Sequence, residues 1–346
     1  MNVAMCPTES WMSNKFDQVS LPSILNLLAD GKYHSGQELA SLLGCSRTAI
    51  WKHLQKLQDL DLPLLAVKGK GYCLDGGLEL LDEKSIRSLL DLQAQASLSK
   101  LDIHYTIDST NAHALQERSN ESSGYICLAE QQAAGKGRLG RRWVSPFGRN
   151  IYFSLLWNFD GGVVALEGLS LAVGVAVAEA LNSCGVEDVK LKWPNDVLWR
   201  QRKLAGILLE VVGDPSGSCQ VVVGIGINVS MPVHQDFTID QPWVDVREIM
   251  AETNPSATVS RNALVAALIN RLLPLMLKYP AERFAPYHSQ WQRLNAYANQ
   301  NVSLQTASKI TYGLVLGVDS TGALRVRTEK GEQLFHGGEI SLRAMS

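Results

Sequence analysis

Gln131-Gln132-Ala133-Ala134-Gly135-Lys136-Gly137-Arg138-Leu139-Gly140-Arg141-Arg142-Trp143 follows directly on the apolar run Tyr125-Ile126-Cys127-Leu128-Ala129. Three glycines alternate with four cations, so a strand feeds a flexible and strongly positive loop. Glycine lets backbone amides approach a ligand closely, and the cations favour phosphate or another anion. A solvated basic turn has the same composition. The stretch lacks the Gly-Lys-Ser/Thr ending of a P-loop and the strand-turn-helix spacing of a dinucleotide fingerprint, so neither common phosphate motif accounts for it.

On either side of the loop, strand and helix patterns alternate. Ile103-His104-Tyr105 reads as a strand, and Asp108-Ser109-Thr110-Asn111 starts a helix through Ala114 and Leu115. That cluster is either a helix cap or a set of hydroxyls and an amide offered to a polar ligand. Asn150 to Trp157 is a strand, and Leu169 to Asn182 is an apolar helix buried on most sides. Val189 to Lys192 runs into Trp193-Pro194-Asn195-Asp196. A hairpin at Arg200-Gln201-Arg202 leads to Lys203-Leu204-Ala205-Gly206-Ile207, and Gln220 to Val223 ends in Gly224-Ile225-Gly226-Ile227-Asn228. Hairpin-length links late in this series predict a mixed α/β sheet rather than a doubly wound parallel one. Pro232 to Thr258 is polar and irregular. Helices are expected over about 260–278 and 281–293, the first interrupted at Pro274. From Asn301 onward, short strands joined by tight turns fit a small SH3-like β-barrel.

The N-terminal part follows helix-turn-helix grammar. A short helix follows Pro22, a second runs from Ser35 to Leu43, and after Gly44-Cys45 a third is capped by Ser46. Ile50, Leu54 and Leu57 recur on one face of the third helix. Arg47, Thr48, Trp51, Lys52 and Gln55 are left outward, as residue types suited to phosphate and base-edge contact. Leu64-Leu65-Ala66-Val67 and Tyr72-Cys73-Leu74 form a hairpin around Lys68-Gly69-Lys70-Gly71, a wing whose Lys68 and Lys70 reach a duplex backbone. A small helical domain used for protein contacts is the alternative. Residues 1–18 read as a disordered extension, with Met12 a candidate start, and 76–100 as a linker with one helix beginning near Asp82-Glu83.

Over 346 residues the net charge is −2, so nucleic-acid binding has to come from a local patch. Cys6, Cys45, Cys73, Cys127, Cys184 and Cys219 form no C-x-x-C pair and have no companion His cluster. This argues against zinc and against a disulfide framework, and it fits a cytoplasmic protein. No signal-peptide core and no window of membrane-span length is expected, and so no membrane partner.

The ordered set Asp108-Ser-Thr-Asn111, Gln132-x-x-Gly-x-Gly-Arg138-x-Gly-Arg141-x-Trp143, Lys192-Trp-Pro-Asn-Asp196, Lys203-Leu-Ala-Gly-Ile207, Gly224-x-Gly-Ile-Asn228 and Gly337-Gly-Glu-Ile-Ser-Leu-Arg343 resembles the bifunctional biotin protein ligases that also act as biotin operon repressors. The resemblance covers nearly the whole chain after about residue 20. It implies a multidomain α+β protein with a winged helix-turn-helix domain over 19–76, a linker and helix over 77–100, a mixed α/β biotin/lipoate-ligase-like catalytic domain over 101–295, and the SH3-like β-barrel over 296–346.

It implies also that ATP and biotin form biotinyl-5′-AMP, which a lysine of the biotin carboxyl carrier protein of acetyl-CoA carboxylase then attacks. With that intermediate as corepressor, a homodimer would bind operator DNA of the biotin biosynthesis operon. Biotin contacts are implied for Ser109, Thr110, Asn111, Gln132, Gly135, Lys136, Gly137, Arg138, Lys203 and Gly206. Nucleotide contacts are implied for Arg138, Arg141, Trp143, Asn195, Asn228 and Trp243, and catalytic roles for Arg138, Lys203 and Lys136. Asp196 is a candidate either for Mg²⁺ or for orienting a lysine. The chemistry agrees with the residue types. A carboxylate attacking an α-phosphate brings two anions together, which fixed cations favour, and biotin's own carboxylate makes a protein nucleophile unnecessary. Lipoate-protein ligation and a non-catalytic biotin-sensing repressor are the alternatives. The more familiar loop pattern reads Gly-Arg-Gly-Arg-Arg-Gly-Arg. Here position 136 is Lys, without a planar fork, and position 139 is Leu, without a charge.

Overall fold

The computed structural model describes residues 21–58, 60, 62–119, 121–214, 216–232, 239, 241–306, 309–337 and 340–344. The expected extension over 1–18 lies outside the described residues. The chain divides into two compact units, residues 1–80 and 81–346.

In the first unit, α1 (Leu21–Leu28), α2 (Gly36–Leu43) and α3 (Arg47–Gln58) precede the hairpin of β1 (Leu64–Val67) and β2 (Gly71–Leu74). Ser35 and Glu38 close a capping box at the start of α2, and Gly44 ends it at φ 64°. The Ala49 amide donates to Ser46 Oγ at 3.1 Å, so one helix stops and the next starts within three residues. Ile24, Leu25, Leu28, Leu39, Ile50, Leu54 and Leu57 form the core. The wing is antiparallel, with Leu64 opposite Leu74 and Val67 opposite Gly71. Gly71 is required at its root, because at φ 109° a Cβ would lie 2.2 Å from His34 O.

The second unit begins with α4 (Glu83–Ser88), α5 (Leu92–Ser97), β3 (Lys100–Ile107), α6 (Thr110–Glu117), β4 (Tyr125–Gln132) and β5 (Ile151–Phe159). There follow α7 (Leu169–Ser183), β6 (Lys190–Lys192), β7 (Asp196–Trp199), β8 (Arg202–Gly213), β9 (Cys219–Ile227), α8 (Val246–Thr253), α9 (Arg261–Glu282) and α10 (Ala285–Leu294). Seven strands make one sheet in the order β3-β4-β5-β9-β8-β7-β6, in which β3 and β4 run parallel and the other neighbours antiparallel. It is therefore a mixed sheet, with α7, α9 and α10 packed together against it. The C-terminal strands β10 (Asn301–Gln305), β11 (Ile310–Val318), β12 (Leu324–Thr328), β13 (Gly331–Phe335) and β14 (Ser341–Ala344) pair antiparallel in the order β13-β12-β11-β10-β14. A bulge between Val315 and Gly317 bends β11. The barrel strands belong to the same compact unit as the large sheet, and Trp193 Nε1 donates to Gly322 O across their junction at 3.1 Å.

Four local expectations are corrected. Two short helices rather than one occupy 83–97, because Asp91 caps a second start by accepting from the Ala94 amide at 2.7 Å. The stretch expected to be irregular contains α8, capped by Asp245 and buried through Val246, Ile249 and Met250. Pro274 does not break α9, which runs on through both Pro274 and Pro280 with Leu272, Leu273, Leu275 and Met276 buried; tertiary packing outweighs the lost hydrogen bond. Finally, Val163–Ser183 and Arg261–Glu282 are long and apolar enough to cross a membrane, by length and composition. Here they are core helices, 67% and 56% buried over the apolar window.

Glu130 joins three elements. Its carboxylate accepts from the Leu81 amide at 2.5 Å and lies 2.8 Å from the Arg261 guanidinium, which also donates to Asn150 O at 2.7 Å. Both side chains are buried. Glu130→Ala removes the carboxylate that balances a buried guanidinium charge, so urea unfolding should show a loss of about 3–5 kcal/mol. A loss below about 1 kcal/mol, the scale of an exposed pair, would show that the pair is peripheral.

Candidate active site

One face of the large sheet is cleared by glycine. In register, Ser154 of β5 stands opposite Gly224 of β9, and Tyr152 opposite Gly226. Gly224 and Gly226 in turn face Leu208 and Gly206 of β8. A Cβ on Gly224 would lie 2.2 Å from Asn111 Oδ1, and one on Gly226 would lie 2.5 Å from the Trp143 ring. The first turn of α6 and the Trp143 indole can therefore lie against the sheet only because these positions have no side chain.

Above this floor is a cavity of about 400 Å³. Its polar end is the start of α6. Ser109 caps the helix, and Ser109, Thr110 and Asn111 are all buried. The Thr110 amide donates to Gln132 Oε1 at 2.9 Å. Ser154 Oγ lies 2.6 Å from Asn111 Oδ1 and 2.8 Å from Thr110 Oγ1, and Asn111 Nδ2 donates to Glu210 Oε2 at 2.7 Å. These groups pre-orient one another into an array of donors and acceptors facing the cavity.

The opposite end is cationic. Lys203 Nζ lies 2.7 Å from Asp196 Oδ1 and 5.4 Å from the centroid of Trp143. Lys192 Nζ approaches the same carboxylate at 3.9 Å. Burial holds the Lys192 ammonium below the usual lysine range, with the Asp196 charge opposing. The Asp196 carboxylate is thus taken up between two ammoniums, the arrangement of a charge-orienting group. A metal ion bound directly there would have to displace them, so these residues do not fit a direct Mg²⁺ site.

The glycine loop is a closed hairpin in this structure. Lys136 bridges Arg142, the Gly137 amide donates to Arg141 O, and the Trp143 amide donates to Gly135 O. Leu139 turns it at φ 59° with Gly140 at φ 71°. Gly135 has no room for a side chain between Gln132, Ser145 and Trp143 O. Arg138 reaches inward from the loop, donating to Asn195 Oδ1 at 3.0 Å and to Ile340 O of the barrel at 3.4 Å. Burial lowers its basicity while Asp196 opposes that shift.

The structure brings Ser109, Thr110, Asn111, Gln132, Lys136, Gly137, Arg138, Arg141, Trp143, Asn195, Asp196, Lys203, Gly206, Asn228 and Trp243 to the wall of this one cavity. Gly135 lies just behind it. Asn228 is differently employed from a free ligand contact, since its amide donates to Val244 O and Lys203 O at 3.2 and 3.3 Å and so braces the loop that carries Trp243. Sequence reading missed Lys192, Ser154, Glu210 and the barrel residues Tyr297 and Arg343. Lys192 and Arg343 were within quoted motifs, but Ser154, Glu210 and Tyr297 come from strands and a barrel whose approach only the tertiary fold shows.

In the first unit Arg47, Thr48, Trp51, Lys52 and Gln55 are all exposed on one face of α3. Trp51 is 52% exposed, more than is usual for a tryptophan. Arg47, Thr48, Trp51, Lys68 and Lys70 line a single groove between α3 and the wing.

Fold and site together define an enzyme class that activates a carboxylate with a nucleotide, joined to a winged helix. Residues 103–228 match the biotin/lipoate A/B protein ligase family, residues 21–73 an HTH domain, and residues 297–343 the biotin protein ligase C-terminal domain. The chain is 40% identical to the bifunctional ligase/repressor BirA of Salmonella typhimurium over 93% of its own length and 97% of that protein. It is 40% identical to the protein of the same name from Escherichia coli, over 93% and 96%. The structure resembles the biotin protein ligase of Aquifex aeolicus in complex with biotin and ATP, with a TM-score of 0.61 and 28% identity, covering 72% of this chain and 100% of that one. The chain belongs to the family of bifunctional biotin protein ligase/repressors.

The glycine floor makes a test that needs no ligand. Gly226→Ala should cost about 1–3 kcal/mol in urea unfolding by overpacking against Trp143, and most of that cost should vanish in a Trp143→Ala background. Equal costs in both backgrounds would mean that the two residues do not share the space.

Proposed function

We propose that the cavity joins biotin to ATP as biotinyl-5′-AMP, releasing pyrophosphate, and then passes biotin to a lysine of the biotin carboxyl carrier protein of acetyl-CoA carboxylase. The reading is carried by one observation: a cavity that is polar at the α6 end and cationic at the other, where Asp196 of β7 pairs with Lys203 of β8. Ser109, Thr110, Asn111 and Gln132 hold the uncharged polar head of biotin. Its carboxylate then points toward Lys203, Arg138 and Lys136. As the carboxylate attacks the α-phosphorus, negative charge shifts onto the phosphoryl oxygens and the leaving pyrophosphate, and preplaced cations stabilise that distribution more than the ground state. Asp196, 2.7 Å from Lys203 Nζ, aims that ammonium. Trp143, Trp243, Asn195, Arg141 and the loop braced by Asn228 surround the nucleotide. Mg²⁺ comes with the phosphates of ATP.

The functional division follows 19–76 for DNA contact, 77–100 as connection, 101–295 for catalysis and 296–346 for the barrel. The α3 face of Arg47, Thr48, Trp51, Lys52 and Gln55 reads the major groove while Lys68 and Lys70 hold the backbone. Repression is exerted by a homodimer on paired operator half-sites, with biotinyl-5′-AMP as corepressor. The free thiols of Cys45, Cys73, Cys127, Cys184 and Cys219 suit a cytoplasmic protein.

Purified protein with ATP and Mg²⁺ should transfer labelled biotin to a carrier domain, and folded protein that transfers none would defeat the ligase reading. Arg138→Ala should slow adenylate formation by about 10²–10³-fold, the scale of one lost charge-stabilising donor, with little change in unfolding midpoint. Unchanged turnover would place the chemistry elsewhere. For the repressor, a gel shift of biotin operator DNA should need biotin and ATP together. Lys68→Ala should reduce the slope of log affinity against log salt by about 1. A shift equally strong without ligand would contradict the corepressor mechanism.

A further inference from the structure

On the sheet face that carries α6, away from the cavity cations, three side chains from three elements converge. His104 comes from β3, His113 from α6 and Cys127 from β4, and their donor atoms all lie within 4.8 Å of one another. The two imidazoles meet edge to face with centroids 4.6 Å apart. His104 Nε2 is sealed from solvent and has no hydrogen-bond partner among the described residues, and Cys127 is fully buried. A buried polar nitrogen left unpaired costs about 1–3 kcal/mol, and such groups call for a missing partner. The neighbouring carboxylate does not supply one, since Asp102 is engaged by Lys100 Nζ at 2.9 Å and by the Tyr125 hydroxyl at 3.1 Å.

We propose that His104, His113 and Cys127 form a binding site for a zinc ion, with water as the fourth ligand. Two imidazoles and one thiolate are a borderline-soft donor set that selects Zn²⁺ over Mg²⁺ or Ca²⁺. Binding forms one sulfur–metal and two nitrogen–metal bonds and releases the Cys127 thiol proton to solvent. Bonds of roughly 2.0–2.3 Å put tetrahedral donors about 3.3–3.8 Å apart, so the three donors, within 4.8 Å of one another, have about 1 Å to close on the ion. His104 and His113 are only half-buried, so the cluster lies near the surface on its histidine side. In sequence the cysteines have no companion His cluster, which argues against zinc; the fold corrects this, because the parallel register of β3 and β4 with α6 across them brings His104 and His113 to Cys127. The site ties α6 to the sheet below its first turn, which carries Thr110 and Asn111. Bound zinc would therefore stiffen the polar end of the cavity, whatever that cavity binds.

The full-length chain, stripped with chelator, would be titrated with Zn²⁺ against a chromophoric competitor and with Co²⁺ by absorption. One Zn²⁺ per chain is expected, with a thiolate-to-cobalt charge-transfer band that Cys127→Ser abolishes. His113→Gln, at a half-buried position that tolerates change, should weaken Zn²⁺ more than about tenfold, beyond the loss typical of an outer-shell partner. Zinc should raise the unfolding midpoint of the unaltered protein and of neither variant. No stoichiometric binding, or binding and charge-transfer unaltered in both variants, would overturn the site.

Discussion

The close approach over β9 is the constraint on which the rest of the site depends. Gly224 admits Asn111 and Gly226 admits Trp143 at distances no side chain would allow, and each sits in register with a residue of β5, Ser154 or Tyr152. Because strand residues alternate faces, both glycines open the same side of the sheet. The start of α6 and the end of the glycine loop are thereby laid over adjacent positions of one strand. A larger residue at either point would lift one of them away and separate the polar end of the cavity from the cationic end.

Electrostatics then links the parts that packing brings together. Asp196 holds Lys203 and faces Lys192, while Arg138 bonds to the adjacent Asn195 and to Ile340 of the barrel. The loop, the sheet and the C-terminal strands are therefore joined through one side chain. This gives the small barrel a direct part in closing the site. It also gives a physical meaning to the loop's departures from the familiar pattern. Lys136 remains exposed on the hairpin, where its ammonium stands free of the fixed geometry that a guanidinium fork imposes. Leu139 occupies a left-handed turn position that glycine or asparagine would take with less strain.

Much of this was legible in the residues, for local reasons. The inward row Ile50, Leu54, Leu57 and the caps Ser35, Ser46 and Ser109 are short-range signals, so the winged helix and the start of α6 could be read directly. The motifs carrying Arg138, Asp196 and Lys203 were legible as cation-rich or turn-forming stretches, but their meeting in one cavity was implied only by resemblance. Where long-range packing decides, the residues misled. Pro274 looks like a helix break until Leu272 and Met276 are seen buried on either side of it. Val246, Ile249 and Met250 are too few to mark α8 within a polar stretch. Ser154 and Glu210 look like ordinary strand residues, since only pairing across β5, β9 and β8 brings them to Asn111. His104, His113 and Cys127 carry no spacing signal at all.

The central claim is that the cavity is an adenylation site for biotin. ATP–pyrophosphate exchange measured in parallel with biotin and with lipoate tests it most directly, because it isolates adenylate formation from carrier, DNA and dimer. Exchange that depends on biotin and is not supported by lipoate is the expected result. No exchange with either acid, or exchange driven equally by lipoate, would contradict it.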